Sequence, residues 1–347
     1  MTDRSRSHCL RSTGRGCAGK SRYAVWPYAH WVVSAAMALV VVVSATWLAP
    51  MALAGGMVIP TRSAVTNAKA PLAAHTDASP SDQRVLSRED QANWLHVRRD
   101  HTAFVVAVNN PLFGPVDVQL IATSPDQPLS FPPLPLRTHV AAREHRTLAR
   151  IYPTPQQLNR GIDVALNVVP GPGRSVVPAL TNALYWLPFR AAPIRITQQF
   201  NGRATHHDRI NRYALDFALP VGTPIVASRD GIVMEVFFGF TRPRHPADGA
   251  GNFIRILHAD GAMSLYAHLQ PNAIAVSPGA FVKRGQLIGY SGETGFSTGP
   301  HLHFAVLINE HSDLRAIPFR LMTSRGEIKF ATSPDTPLPH DTWIVPR

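Results

Sequence analysis

Cysteine is almost absent from this sequence: Cys9 and Cys17 are the only two, and both lie within the first 17 residues. The remainder has no thiol with which to form a disulfide or bind a metal, so any metal site there must use His, Asp or Glu. Charge is also sparse, at 16% of residues, and neither heptads nor internal repeats occur, which excludes coiled-coil and solenoid architectures. No helix-turn-helix, zinc-finger or aromatic RNA-binding motif is found. What the chain does have is turn formers: 31 prolines and 23 glycines punctuate a 45% apolar sequence, which suits short β-strands better than long helices. Its 347 residues leave room for two ordinary domains and a tail.

The net charge of +12 suggests a nucleic-acid partner until its distribution is read. Arg4, Arg6, Arg11, Arg15, Lys20 and Arg22 crowd into the first 30 positions beside one acid, Asp3. The rest carries 28 basic against 21 acidic residues, a net +7. That is a solvated basic face, as well suited to an anionic cell-envelope polymer, and no nucleic-acid partner is expected.

There is one long hydrophobic run, from Trp31 to Ala54. It is uncharged and long enough to cross a bilayer, and the basic residues before it keep the tail 1–30 in the cytoplasm. The rest of the chain is then exported to the periplasm or cell envelope. Ala52-Leu53-Ala54 before Gly55 has the small-x-small form of a signal-peptidase site, so 31–54 is either a cleaved signal peptide or an anchor in the membrane.

Residues 55–90 are rich in Ala, Ser, Thr, Pro and Asp and read as a linker. From 91 to 188, the runs FVVAVNN, VDVQLIA, THVAA, RTLARIY and DVALNVV alternate with Pro, Gly and Asn turns, the rhythm of a small β-sandwich-like accessory module. It holds no cluster of acid, base and nucleophile, so packing or positioning is its expected role. From 193 to 309 come PIRITQQF, TPIVAS, GIVMEVFF, NFIRIL, MSLYAHL, QLIGYSG and LHFAVLI, which predict an all-β domain. The extension 310–347 gives no signal. A monomer is expected.

His301-Leu302-His303 opens the last of these strands, and alternate strand residues share a face, so the two imidazoles project side by side. With 16 histidines, chance supplies about 0.7 such pairs, so the motif needs company. Thr205-His206-His207 with Tyr213-Ala214-Leu215-Asp216 offers a histidine and a strand-borne carboxylate, and Tyr266-Ala267-His268-Leu269 another imidazole. Two histidines, one carboxylate and an open fourth position make a catalytic rather than a structural zinc site.

Three ordered blocks carry a resemblance: THH…YALDFALPVGTPIVAS, GNFIRILHADGAMSLYAHL and PGAFVKRGQLIGYSGETGFSTGPHLHFAV. Over about a third of the chain the sequence resembles the LytM or lysostaphin type of peptidoglycan zinc metallopeptidase. The fold expected is all-β: the resemblance implies a C-terminal antiparallel β-sheet or barrel-like metallopeptidase domain with an open groove, and the sequence pattern places the β-sandwich-like module and the apolar membrane segment before it. It implies Zn2+ held by His206, Asp216 and His303. His207 stays open as an alternative to His206, because the loop from Thr205 to Tyr213 is longer than in the family's shortest members.

The family's two non-ligand histidines map to His268 and His301, with His301 as general base and His268 as oxyanion stabiliser, roles that are exchangeable. Zinc lowers the pKa of its bound water and polarises the scissile carbonyl, and a nearby imidazole takes the water's proton. The implied substrate is an amide in a peptidoglycan stem peptide or cross-bridge.

Other features have plainer readings. Gly292, Gly295 and Gly299 lack the following helix of a phosphate cradle and shape a tight loop that presents His301, with Thr298 beside the substrate path. His258 reads as a hydrogen-bonded strand-end histidine and His245 as solvated. Two rival functions follow from the same residues. A silent envelope factor would bind peptidoglycan or activate a separate amidase, and the complete ligand set argues against it. A lipoyl- or biotinyl-type carrier would modify Lys283 within PGAFVKRGQLIGYSG, and export and Asp216 argue against that.

Overall fold

The computed structural model describes residues 94–328 and 342–344, except 124–127, 156, 158–160, 174–181, 191–193, 203 and 242–248. The basic tail, the apolar segment 31–54, the linker 55–90 and His245 lie outside the described residues. No helix among the described residues is long and apolar enough to cross a membrane.

Among the described residues, the expectation of an all-β fold with antiparallel sheets holds. Among the described strands, every pairing is antiparallel except that of Leu184–Trp186 with Arg320–Thr323. Alternation does much of the work in the first block. In Val116–Ala122, Val116, Val118, Leu120 and Ala122 are buried while Asp117, Gln119 and Ile121 are half-exposed, the period-two pattern of a strand with one face on a core. This strand lies between Leu136–Val140 and Val164–Pro170. A second sheet runs in the order Leu95–Asp100, Ala103–Asn109, His145–Tyr152, Leu129–Phe131. Phe104, Val106 and Ile151 of one sheet share a core with Val118, Leu120 and Leu166 of the other.

The second block is built on one large sheet. Its order is Phe281–Val282, Gly231–Phe237, Phe253–Leu257, Met263–Ala267, Leu302–Glu310, Leu215–Phe217, Ile194–Gln198 and Thr342–Ile344, with Asp313–Ala316 also pairing onto Leu302–Glu310. Both faces of this sheet are covered. Leu302, Phe304 and Val306 pack with Ile254, Ile256 and Tyr266 on one side. Ala305 and Leu307 join Met263, Leu265 and Phe253 on the other, in the same core as the first block. This is why Leu302 to Asn309 are buried without a break.

The two blocks approach closely where glycine removes a side chain. A Cβ on Gly114 would lie 2.8 Å from the Met234 side chain, and one on Gly171, at φ +93°, would lie 2.6 Å from Met263 Cε. Asn309 Nδ2 donates to the Gly171 carbonyl at 2.9 Å. On the same face as Phe253, Arg255 and Glu235 form a buried ion pair, with Arg255 Nη1 donating to Glu235 Oε2 at 2.6 Å.

The stretch after Asn309, which is silent as sequence, is strand-rich. It turns at His311 and Ser312, both at positive φ, and returns as Asp313–Ala316. Arg320–Thr323 then pairs with both Gly326–Ile328 and Leu184–Trp186. Strands of three or four residues are too short for an alternating pattern to stand out.

A chain trimmed to 193–309 therefore loses more than a neighbour. It uncovers Met234, Met263, Leu265 and Leu307, each worth about 1.5–3 kcal/mol when buried. Such a fragment is expected to melt about 10 °C or more below a chain of residues 94–347, read by circular dichroism. Equal melting temperatures would show that the two blocks are stable independently.

Candidate metal centre

Antiparallel register assembles the site. Ala267 pairs with His303, His303 with Asp216, and Asp216 with Gln198, so four residues form a row across four neighbouring strands. Directly opposed residues share a face with Cβ atoms roughly 4.5–5.5 Å apart, which brings the His303 and Asp216 side chains together. His303 Nδ1 lies 2.9 Å from Asp216 Oδ1, and both residues are buried.

His206 arrives from a loop. Asp208 shapes it by accepting from the Ile210 and Asn211 amides at 2.9 Å, an Asx-type turn. His206 is fully buried, whereas the adjacent His207 is exposed. His206 Nδ1 lies 3.0 Å from the Gln199 carbonyl, which can only accept, so Nδ1 carries the proton and Nε2 is left bare. That Nε2 is 3.2 Å from Asp216 Oδ2 yet makes no hydrogen bond to it.

This geometry fits a metal. A tetrahedral zinc with bonds of about 2.0–2.1 Å sets its ligand atoms about 3.3 Å apart. Ligand atoms of His206, Asp216 and His303 all lie within 4.8 Å of one another. A buried bare imidazole nitrogen close to a carboxylate and a second imidazole has the chemistry of a metal ligand. Two histidines and one carboxylate leave a fourth position open.

Burial alone would raise the Asp216 carboxyl pKa, but the proximity of His206 and the hydrogen bond with His303 outweigh it and hold the group well below the usual carboxylate range. The Gln198 amide adds a third donor, with Nε2 2.8 Å from Asp216 Oδ2. Gln198 is invisible in the sequence reading, because a strand-end glutamine looks the same whether it faces water or a carboxylate.

His268 and His301 flank the group. A continuing strand would send His268 to the face opposite Ala267, but its backbone sits at φ 60°, and its ring centroid lies 4.5 Å from that of His301 and 5.9 Å from that of His303. His268 Nδ1 donates to the Thr294 carbonyl at 2.7 Å. Burial, followed by the charges of His301 and His303, pushes its pKa down to about 3, so the ring is neutral at ordinary pH. His301 Nδ1 donates to the Gly299 carbonyl at 2.8 Å, with Ser297 Oγ at 3.2 Å, and its Nε2 is 3.9 Å from Asp216 Oδ1.

The glycine loop is structural, as its sequence suggests. Gly292 bridges to His301, and a Cβ there would lie 2.6 Å from the Gln270 amide nitrogen. Gly295, at φ +76°, passes so close to Gly251 that a Cβ would sit 2.4 Å from its nitrogen. Thr298 is exposed on the same loop.

Residues 211–313 match the profile of Peptidase family M23. This segment is therefore similar to the M23 peptidases. Over 117 residues the chain is 42% identical to peptidoglycan DD-endopeptidase ShyA of Vibrio cholerae, covering 33% of this chain and 25% of that protein. Over 125 residues it is 40% identical to glycyl-glycine endopeptidase ALE-1 of Staphylococcus capitis, covering 35% and 32%. This chain thus spans about a quarter to a third of the length of these relatives. Among solved structures, the catalytic domain of lysostaphin from Staphylococcus simulans is 30% identical, covers 37% of this chain and 88% of that one, and has a TM-score of 0.27. The M23 match takes in Asp216, His268, His301 and His303 but begins five residues after His206.

His258 stands apart from this group, as expected of a strand-end histidine. It lies between the Asp230 carbonyl, 2.8 Å from Nδ1, and Ser264 Oγ, 2.9 Å from Nε2. Burial is the main cause that pushes its pKa down from 6.5 to about 4. The folded state therefore binds this proton less readily than the unfolded one, so the associated stability is full above pH 6.5 and is lost as pH falls towards 4. Between pH 7.5 and 4.5 the parent should lose roughly 2–3 kcal/mol more unfolding free energy than a His258→Gln variant, measured by urea titration. An equal loss in both would remove His258 as the source.

Proposed function

We propose that this chain is a zinc-dependent peptidoglycan endopeptidase that hydrolyses amide bonds in stem peptides or cross-bridges. The observation that carries the reading is the convergence of His206, Asp216 and His303 with His268 and His301 beside them. We assign His206, Asp216 and His303 as the zinc ligands. The exposure of His207 favours His206, although the family match begins after it. A zinc ion held there supplies a Lewis acid and an activated water.

The chain's own residues supply the rest. His301 is the general base: its Nδ1–H is held by Gly299, so its bare Nε2 is directed toward the ligand group. His268 is the oxyanion stabiliser. Its Nδ1–H is committed to Thr294 and the ring is otherwise neutral, so it stabilises negative charge from Nε2 only after accepting a proton there, and the proton that His301 takes from the water is the one at hand. Gly292 and Gly295 allow the close backbone approaches to Gln270 and Gly251 that shape the loop carrying His301.

The substrate class rests on the named activities of the relatives. One is a peptidoglycan DD-endopeptidase and the other a glycyl-glycine endopeptidase. They share amide hydrolysis and differ in the bond, so the amide class is what transfers. The basic tail and the run Trp31–Ala54 support export to the periplasm or cell envelope, with that segment as cleaved signal or anchor. We assign 91–188 as a β-sandwich-like accessory module and 193–309 as the peptidase domain.

The test is muropeptide mass spectrometry after zinc-loaded chain, or its His301→Ala variant, is incubated with purified cross-linked peptidoglycan. Cross-linked species should disappear with the parent, and loss of the base should slow this by about 10²–10⁴-fold. An unchanged profile with zinc bound at one per chain would overturn the peptidase and leave a silent envelope factor.

A further inference from the structure

We propose that Gln198 is a positioning residue that fixes the distance between the two zinc ligands lying on either side of the loop 207–215. The inference rests on the zinc reading of the site. His206 and Asp216 are separated by nine residues, so the loop alone does not set where their ligand atoms fall relative to one another.

One side chain touches both ends. Gln198 Nε2 donates to Asp216 Oδ2 at 2.8 Å and to Thr205 Oγ1 at 2.9 Å, while its Oε1 accepts from the Thr205 amide at 3.1 Å. A primary amide has two donor hydrogens and a carbonyl oxygen, and here all of them are committed. Two of the three bonds go to the residue immediately before His206, and the third goes to the carboxylate. The amide has only one workable orientation. Flipped, its oxygen would face the acceptor-only carboxylate and its NH2 group would face the Thr205 N–H.

The backbone continues the same device. Gln198 pairs with Asp216 in the sheet, and the carbonyl of the next residue, Gln199, accepts from His206 Nδ1 at 3.0 Å. The end of the strand Ile194–Gln198 thus holds the tautomer of one ligand and the carboxylate of the other. The packing is close: a Cβ on Gly202 would lie 3.2 Å from Gln198 Oε1 and 3.4 Å from His206 Cβ. Outer groups that orient metal ligands typically contribute 10–100-fold to metal affinity.

The experiment compares the full chain with its Gln198→Met variant, which keeps the length of the side chain and removes every hydrogen bond. Zinc affinity is measured by competition with a chelator, alongside the melting temperature of the metal-free protein. We expect zinc binding 10–100-fold weaker with the metal-free melting temperature within a few degrees of the parent, and kcat recovering at saturating zinc. Zinc affinity within about twofold of the parent would overturn the role. Should Gln198→Met fail to fold, Gln198→Asn decides by the same measure, because the shorter amide cannot span both partners. A parent chain that binds no zinc would overturn the metal centre itself, an outcome distinct from a parent that binds zinc and a variant that binds it equally well.

Discussion

The constraint on which the site depends is a buried carboxylate. Asp216 is only 4% exposed on a strand between two others, and a charge taken out of water is costly unless it is paired and hydrogen-bonded. Here His303 approaches one oxygen, and Gln198 and His206 the other. Each comes from a different segment, so the cost of burying one charge couples the strand Ile194–Gln198, the loop that carries His206 and the strand Leu302–Glu310. Weakening any one leaves the carboxylate under-compensated. The same arrangement that makes the charge tolerable also brings two imidazoles within reach of the carboxylate, with ligand atoms no more than 4.8 Å apart.

The second constraint is that the sheet bearing this charge is covered on both faces. His303 shares its face with Ala305 and Leu307, which belong to the core common to both blocks. The opposite face, which carries Tyr266 and Phe304, packs on Phe319. With both faces covered, the strands are held by packing from two sides, which limits how far the row from Gln198 to Ala267 can shift. The glycine contacts to Met234 and Met263 show that this covering is fitted to the sheet rather than loosely apposed.

Legibility in the sequence followed physical scale. Strands of five or more residues with regular alternation, such as Val116–Ala122, were readable because burial on one face leaves a period of two. Leu302–Glu310 was readable as a continuous apolar run, the mark of burial on both faces. The strands after Asn309 were not, since three or four residues give no period and their partners lie far away in sequence, as with Arg320–Thr323 and Leu184–Trp186. Within the site, the histidines and Asp216 stood out by type and spacing. The choice between His206 and His207 did not, because adjacent residues on a loop have no fixed facing and only burial separates them. Gln198 was hidden because its significance is entirely its partners.

A further part of the site is written in backbone rather than in side chains. His206, His268 and His301 each give Nδ1–H to a main-chain carbonyl, of Gln199, Thr294 and Gly299 respectively. Each bond fixes a tautomer and leaves Nε2 bare. Any residue type has a carbonyl, so no motif betrays this device. It does explain the left-handed backbone nearby: His268 at φ 60°, costly for a non-glycine residue, and Gly295 at φ 76° belong to the turns that bring the His268 ring and the Thr294 carbonyl together. His303 is the exception, since its Nδ1 faces the Asp216 carboxylate instead. The ring that shares a strand face with the charge is oriented by the charge, and the three rings held on loops or strand ends are oriented by the chain itself.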